Sequence, residues 1–350
     1  MEEKLISKEN LKMLVADLIK ANHFVVGQDK KAVGWKRLLL TDEIIVNSGG
    51  VPSNLSYKEF VFAKTEPIFY FRNNKDNYDL IDPADGGTSP KFEEQKLVFL
   101  GAKPCDARSI EIMSHVFNWD YKDKFYNERA ERSIVVGVAC NYQDEFCFCT
   151  SVGLNPTSEA GSDLFLVPLD EKNYALKIVS DKGKEFIQPF MNYLSEGNSK
   201  LASEVLAKIK SPEKKFEPAK VKEWITSNFE HRLFEKVGET CIGCGQCAFA
   251  CPVCHCFDIV DEECDYTCGR RMKNWDACQF SMFTLHSSGH NPRETQGKRY
   301  RQRIAHKFKY YHDKFSETLC TGCGRCSRGC PVGIDISLIL SETKYLDVIK

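Results

Sequence analysis

The sequence predicts an α+β chain of two domains, an N-terminal α/β domain over residues 1–216 and a mostly α-helical, cysteine-rich domain over 217–350. Three observations lead there. Two wholly apolar runs, LVFLGA at 97–102 and SIVVGVA at 133–139, flank a helical pattern through Ile110, Ile112, Met113, Val116 and Phe117, which is the pattern of a parallel β-α-β unit buried on both faces. Thirteen of the 17 cysteines fall after residue 220, in a stretch that otherwise reads as helical. Between the two lies SPEKKFEPAK, charged and proline-bearing as inter-domain linkers are.

Taken in order, Leu11, Leu14, Val15, Leu18 and Ile19 recur at helical spacing behind Ser7, so an amphipathic helix capped by Ser7 is expected first. Short apolar runs between 36 and 72 (LLL, EIIV, EFVFA, IFYF), broken by NSGG and VPS, read as strands. The polar stretch from there to about residue 94 reads as loop. After the β-α-β unit, DLFLVPL and NYALKIVS read as a hairpin, followed by helices near 183–195, 199–210 and 218–236.

Composition excludes several classes. With 48 basic and 49 acidic side chains, no global field favours nucleic acid or an anionic membrane. The N-terminus MEEKLISKEN is charged from its second residue and no run approaches a membrane span, so a cytoplasmic protein is expected. In a reducing cytosol, closely spaced thiols are metal ligands more often than disulfides.

One internal repeat carries the chemistry. CIGCGQCAFACP at 241–252 and CTGCGRCSRGCP at 320–331 align without a gap. Each is C-x2-C-x2-C-x3-C-P, in which three thiolates hold one [4Fe-4S] cluster and the cysteine before proline reaches the other. The expected sets are therefore Cys241, Cys244, Cys247 and Cys330 for one cluster, and Cys320, Cys323, Cys326 and Cys251 for the second. Structural zinc, the rival, usually takes two separated cysteine pairs and does not require two such runs. The runs begin 79 positions apart, so a ferredoxin-like dicluster domain with a helical insertion fits better than a compact ferredoxin.

The surrounding sequence makes the match more specific. Through LGAKPCDARSIEIMSHVF, CNYQDEFCFCTSVGLNPTSEAGSDLFL, CPVCHCFDIVDE, RRMKNWDAC, GKRYRQRIAHK and CTGCGRCSRGCPVGIDI, the chain resembles the iron-sulfur subunit of anaerobic sulfite reductases and the β subunit of cytoplasmic sulfhydrogenases. The resemblance implies an electron-transfer component linking the partner that binds flavin and NAD(P)H to a terminal reductase or hydrogenase. Cys105 follows the first apolar strand and Cys140, Cys147 and Cys149 follow the second; if those strands are parallel neighbours, the four thiols gather beyond their carboxyl ends. Matching cysteines occur in the resembled family, and a third [4Fe-4S] cluster is expected there, against the alternative of buried unligated thiols.

Cys254, Cys256, Cys264, Cys268 and Cys278 are expected to line the pocket of the first cluster, a further metal site or a substitute ligand being the alternatives. The basic stretch 291–314 holds eight Lys or Arg and is expected to be a helix that offsets cluster charge or docks an acidic partner, with no nucleic acid bound. No dinucleotide or P-loop fingerprint occurs, so no nicotinamide or flavin site is expected and no catalytic residue is assigned. A catalytic iron-sulfur reductase and a redox-sensing regulator are the two rival functions.

Overall fold

The computed structural model describes residues 3–29, 33–74, 77–83 and 95–346. Its strands, in chain order, are β1 (Glu3–Ser7), β2 (Phe24–Gln28), β3 (Trp35–Arg37), β4 (Thr65–Asn74), β5 (Asn77–Ile81) and β6 (Leu97–Ala102). They continue with β7 (Ser133–Val138), β8 (Leu164–Pro168), β9 (Asn173–Ile178), β10 (Ser195–Glu196), β11 (Phe257–Asp265) and β12 (Cys268–Trp275). Eight of them form one mixed sheet in the order β10-β1-β9-β8-β7-β6-β2-β3, and the other four a smaller sheet in the order β11-β12-β4-β5.

The large sheet is built on the expected parallel pair. β6 and β7 run parallel with Val98 opposite Ile134 and Phe99 opposite Val135, and every residue of both is buried. The connection holds three helices, Pro104–Ala107, Ser109–Phe117 and Lys124–Arg132. β8 and β9 form the expected antiparallel hairpin. The first helix spans Lys8–Lys20, with Ser7 Oγ accepting from the Asn10 N–H and Leu11, Leu14, Val15 and Leu18 buried, as an N-cap before an amphipathic repeat requires.

Three expectations need correction. Of the runs between 36 and 72, only IFYF lies in a strand; LLL and EIIV are irregular, and EFVFA contributes the one-turn helix Lys58–Val61. Runs of three to five apolar residues have no period long enough to tell helix, strand and packed loop apart. Residues 77–81, expected as loop, pair with β4 as an edge strand, while the expected loop over 84–94 lies outside the described residues. The region between the cysteine runs is not helical throughout, because β11 and β12 form a long hairpin there. Its alternation in FDIVDEECD and CGRRMKNW is weak because β11 is exposed over most of its length.

That hairpin ties the halves of the chain together. β12 pairs antiparallel with β4, Gly269 facing Phe71 and Lys273 facing Glu66, so one sheet draws strands from both sides of residue 217. An apolar core crosses the same line, with Tyr57, Phe99, Phe117 and Tyr126 packed in one cluster with Ala248, Val253, Tyr311 and Leu319. No helix among the described residues is long and apolar enough to cross a membrane.

Candidate metal centres

The two cysteine runs fold alike. In each, a glycine in the left-handed region, Gly245 or Gly324, caps a one-turn helix, Gln246–Phe249 or Arg325–Arg328. The third cysteine of the run (Cys247, Cys326) lies on that helix and the fourth (Cys251, Cys330) just beyond it. The turns before the helices carry the first two thiols, which is what places sulfurs from residues three apart on one side of the backbone.

Three cavities gather the cysteines. One is lined by Cys241, Cys244, Cys247 and Cys330, with Cys326, Tyr300 and Arg303 on its wall. A second is lined by Cys251, Cys320, Cys323 and Cys326, with Lys307. A third is lined by Cys105, Cys140, Cys147 and Cys149, with Lys103 and Cys323. Cys323 thus lines both the third and the second cavity, and Cys326 both the second and the first, so the three stand in series.

The third cavity is assembled from loops at the carboxyl ends of β6 and β7. The Cys140 N–H donates to the Pro156 carbonyl at 2.9 Å, and the Asp144 carboxylate accepts from the N–H groups of Phe146 and Cys147 at 3.1 Å, forming the turn that presents Cys147. Two ion pairs hold this loop set against the second run. Arg325, between Cys323 and Cys326, pairs with Asp106 at 2.7 Å, both side chains wholly buried, and its Nε donates to the Ser53 carbonyl at 2.6 Å. Arg328 pairs with Asp144 at 2.7 Å. Contact is close enough that a Cβ on Gly322 would stand 2.5 Å from the backbone of Cys149, and one on Gly324 2.6 Å from the Phe146 carbonyl oxygen. Both positions have positive φ, so only glycine satisfies conformation and approach together.

The basic stretch is a helix, Gln296–Ala305, continued through a π-helical turn at His306–Tyr310 to Phe315. It turns cations inward. Arg303 donates to the Cys247 carbonyl at 2.9 Å and to Cys254 Sγ at 3.6 Å; Lys307 donates to Cys251 Sγ at 3.4 Å and to the Leu319 carbonyl at 2.9 Å. Burial works against both charges, yet the cysteine sulfurs around them outweigh it and raise both groups above their ordinary range. On the third cavity, Lys103 reaches the carbonyls of Ser48 and Gly50 and Cys140 Sγ.

The donor set suits iron-sulfur clusters. Burial pushes the Cys147 thiol up to about 11 and those of Cys149, Cys247 and Cys320 to about 12, so these cysteines give up their protons only to a centre that binds thiolate strongly. The buried cations beside them would offset the net negative charge that a thiolate-ligated cluster carries. Among the described residues no three His, Cys, Asp or Glu side chains close on a single ion; thiolates around a cubane cap the corners of a larger body and stand farther apart.

The remaining cysteines divide. Cys264 and Cys268 pair as a disulfide at the tip of the β11–β12 hairpin, which corrects the expectation that they line the first cavity. They flank the turn that closes the hairpin, Cys268 standing opposite Asp265 and Cys264 at the register shift beside it, a relation invisible without the pairing of the strands. Cys254, Cys256 and Cys278 also do not line the first cavity. They form a separate group in which a hydrogen bond from Cys256 brings the Cys278 thiol down to about 6. His255 packs edge-on against His306, ring centroids 5.3 Å apart, and burial drives both imidazoles below their ordinary range. Sequence reasoning missed Lys58 and Lys103; nothing marks a lysine in a loop or a one-turn helix as buried.

Residues 240–334 match the 4Fe-4S dicluster domain family. Over 291 residues, 82% of this chain and 82% of the relative, the sequence is 28% identical to sulfhydrogenase 2 subunit beta of Pyrococcus furiosus, in line with the resemblance carried by the sequence motifs. No solved structure matches the chain.

Proposed function

We propose that the chain is an iron-sulfur electron-transfer subunit of a soluble oxidoreductase complex, relaying electrons between a partner that binds flavin and NAD(P)H and a terminal partner of the reductase or hydrogenase kind. The observation that carries this reading is the series of three cysteine-lined cavities joined through Cys323 and Cys326. Cys241, Cys244, Cys247 and Cys330 would hold one [4Fe-4S] cluster, Cys320, Cys323, Cys326 and Cys251 a second, and Cys105, Cys140, Cys147 and Cys149 a third. Such clusters supply one-electron acceptance and release without making or breaking substrate bonds.

The chain's own residues do the rest. The cysteines fix the sites, Arg303, Lys307 and Lys103 supply positive charge beside them, and the Arg325–Asp106 and Arg328–Asp144 pairs keep the third site against the second. The similar relative is by its name one subunit of a larger hydrogenase, which supports partner proteins at either end of the series. Hydride chemistry and the terminal acceptor belong to those partners, since the sequence offers no dinucleotide fingerprint.

The test is anaerobic iron and acid-labile sulfide content with EPR of the reduced chain. Cys147→Ser/Cys149→Ser is expected to lose about four irons and one signal relative to wild type. Equal iron in the two would remove the third site, and a chain that takes up zinc but no sulfide would overturn the electron-transfer reading.

A further inference from the structure

Cys241 and Cys320 hold the same place in the two cysteine runs, but their sulfurs are met differently. Cys320 Sγ accepts from the Gly322 N–H of its own turn at 3.4 Å. Cys241 Sγ is reached from 55 positions along the chain by the Gln296 side chain, whose Nε2 donates to it at 3.2 Å. Two glycines allow that reach. Cys241 follows the helix Leu233–Thr240, and a Cβ on Gly238 of that helix would stand 2.4 Å from the Gly297 nitrogen. The helices therefore meet backbone to backbone, which sets Gln296, at the start of the helix Gln296–Ala305, beside Cys241.

An amide beside a sulfur presents either its oxygen or its NH2 group, and here the neighbours decide which. Arg299 has only donors, and its Nε and Nη2 fork onto Gln296 Oε1 at 3.0 and 2.8 Å. The oxygen is thus committed, and Nε2 is left for Cys241. Gln279 is fixed by the same logic: its Nε2 donates to the Arg299 carbonyl at 3.3 Å, so its Oε1 turns to accept from Gln296 Nε2 at 2.8 Å. Arg299 is itself held through Nη1, which donates to the carbonyls of Arg293 and Glu294 at 2.8 and 3.0 Å. Arg299 and Gln279 are both buried, so water does not compete for these bonds. As a thiol, Cys241 donates to Gln279 Oε1 at 3.7 Å; as a thiolate it only accepts, and the donor aimed at it is Gln296 Nε2.

We propose that Gln296 sets the potential of the first site, Arg299 being the positioning residue that holds its amide with the donor toward Cys241. A hydrogen bond to a ligand sulfur favours the state with the extra electron, because that state carries more negative charge on its sulfurs. The second and third sites meet charged donors at their sulfurs, Lys307 at Cys251 and Lys103 at Cys140, whereas Cys241 meets a neutral amide. The first site also opens outward, Cys244 being exposed and Ile242 beside it 65% exposed. Gln296 therefore governs how readily the surface end of the series takes up an electron.

The inference rests on the reading of the first cavity as an iron-sulfur site. Its test is EPR-monitored redox titration of the anaerobically purified full chain and of Gln296→Leu, Gln296→Glu and Arg299→Lys, with iron and sulfide content measured alongside. Gln296→Leu is expected to keep wild-type iron and to move one midpoint to more negative values. The signal that moves is neither the one lost in Cys147→Ser/Cys149→Ser nor the one that Lys307→Gln moves at Cys251. Gln296→Glu still accepts the Arg299 fork, so a merely structural Gln296 would leave that variant like the wild type. Its second oxygen faces the sulfur, and above the ordinary carboxylate range it should move the same midpoint further than Gln296→Leu does. Arg299→Lys keeps the charge but not the fork and should move the same midpoint in the same direction; a wild-type midpoint there overturns its positioning role. An unmoved midpoint in Gln296→Leu, or a shift at either other site in its place, overturns the inference and leaves the electron-transfer reading standing. If Gln296→Leu does not hold iron, Gln296→Glu decides, and a midpoint equal to the wild type's overturns the inference. A wild-type chain that takes up no iron and sulfide sinks both readings.

Discussion

Arg325 stands one residue before Cys326 and two after Cys323, yet its charge is answered from another part of the chain by Asp106, the neighbour of Cys105. Both side chains are wholly buried, and removing one partner of such a pair leaves an uncompensated charge at a cost of about 3–5 kcal/mol. Asp106→Asn is therefore expected to lower unfolding stability by about that amount, measured by denaturant titration of the iron-loaded chain, and to loosen the third site before the other two. Lys307 permits a sharper prediction. Its ammonium lies 3.4 Å from Cys251 Sγ, so Lys307→Gln should move the midpoint of the cluster proposed at the second site to more negative values with iron content unchanged. A redox titration in which no signal moves would mean that its charge is spent elsewhere.

At the scale of elements, the second cysteine run does one thing that the first does not. Besides building a turn and one-turn helix as the first does, it offers Gly322 and Gly324 as a surface on which residues 146–149 lie, the Phe148 N–H donating to the Gly322 carbonyl at 3.0 Å. Gly322→Ala adds a Cβ 2.5 Å from the Cys149 backbone at a position of φ 65°. It is expected to remove the roughly four irons proposed for the third site while circular dichroism stays that of the wild type. The hairpin of β11 and β12 gives the opposite case. Cys264 and Cys268 sit at its exposed tip, away from the three cavities, so Cys264→Ser should leave iron, sulfide and all EPR signals unchanged, the only difference being the thiol count after unfolding.

Over the whole molecule, the proposed sites lie where distant segments meet. The loops after β6 and β7, the run at 241–251 and the run at 320–330 share cavities and an apolar core. Metal bound across them stabilises the folded chain because the unfolded one holds no preformed site. Removing iron with a chelator under anaerobic conditions is thus expected to lower the thermal midpoint and to expose first the amides of residues 140–156 and 240–334 to hydrogen exchange, with the strands of the large sheet protected longest. Much of this architecture is legible in local pattern. The buried runs mark β6 and β7, the Ser7 cap marks the first helix, and the repeated C-x2-C-x2-C-x3-C-P spacing marks two candidate ligand sets, because each is written in residues adjacent in sequence. The conformations around 36–72 and the hairpin at 257–275 are not legible in the same way, since a run of a few apolar residues has no period and an exposed strand has little contrast. Local sequence thus settles which thiols occur in runs and which strands are buried on both faces. Only the folded arrangement turns Lys58, Lys103, Arg303 and Lys307 inward, brings Arg325 to Asp106, and gathers Cys254 and Cys256 with Cys278 apart from the first cavity. Such contacts depend on strand pairing and helix packing between residues far apart in the chain, and no local spacing encodes them.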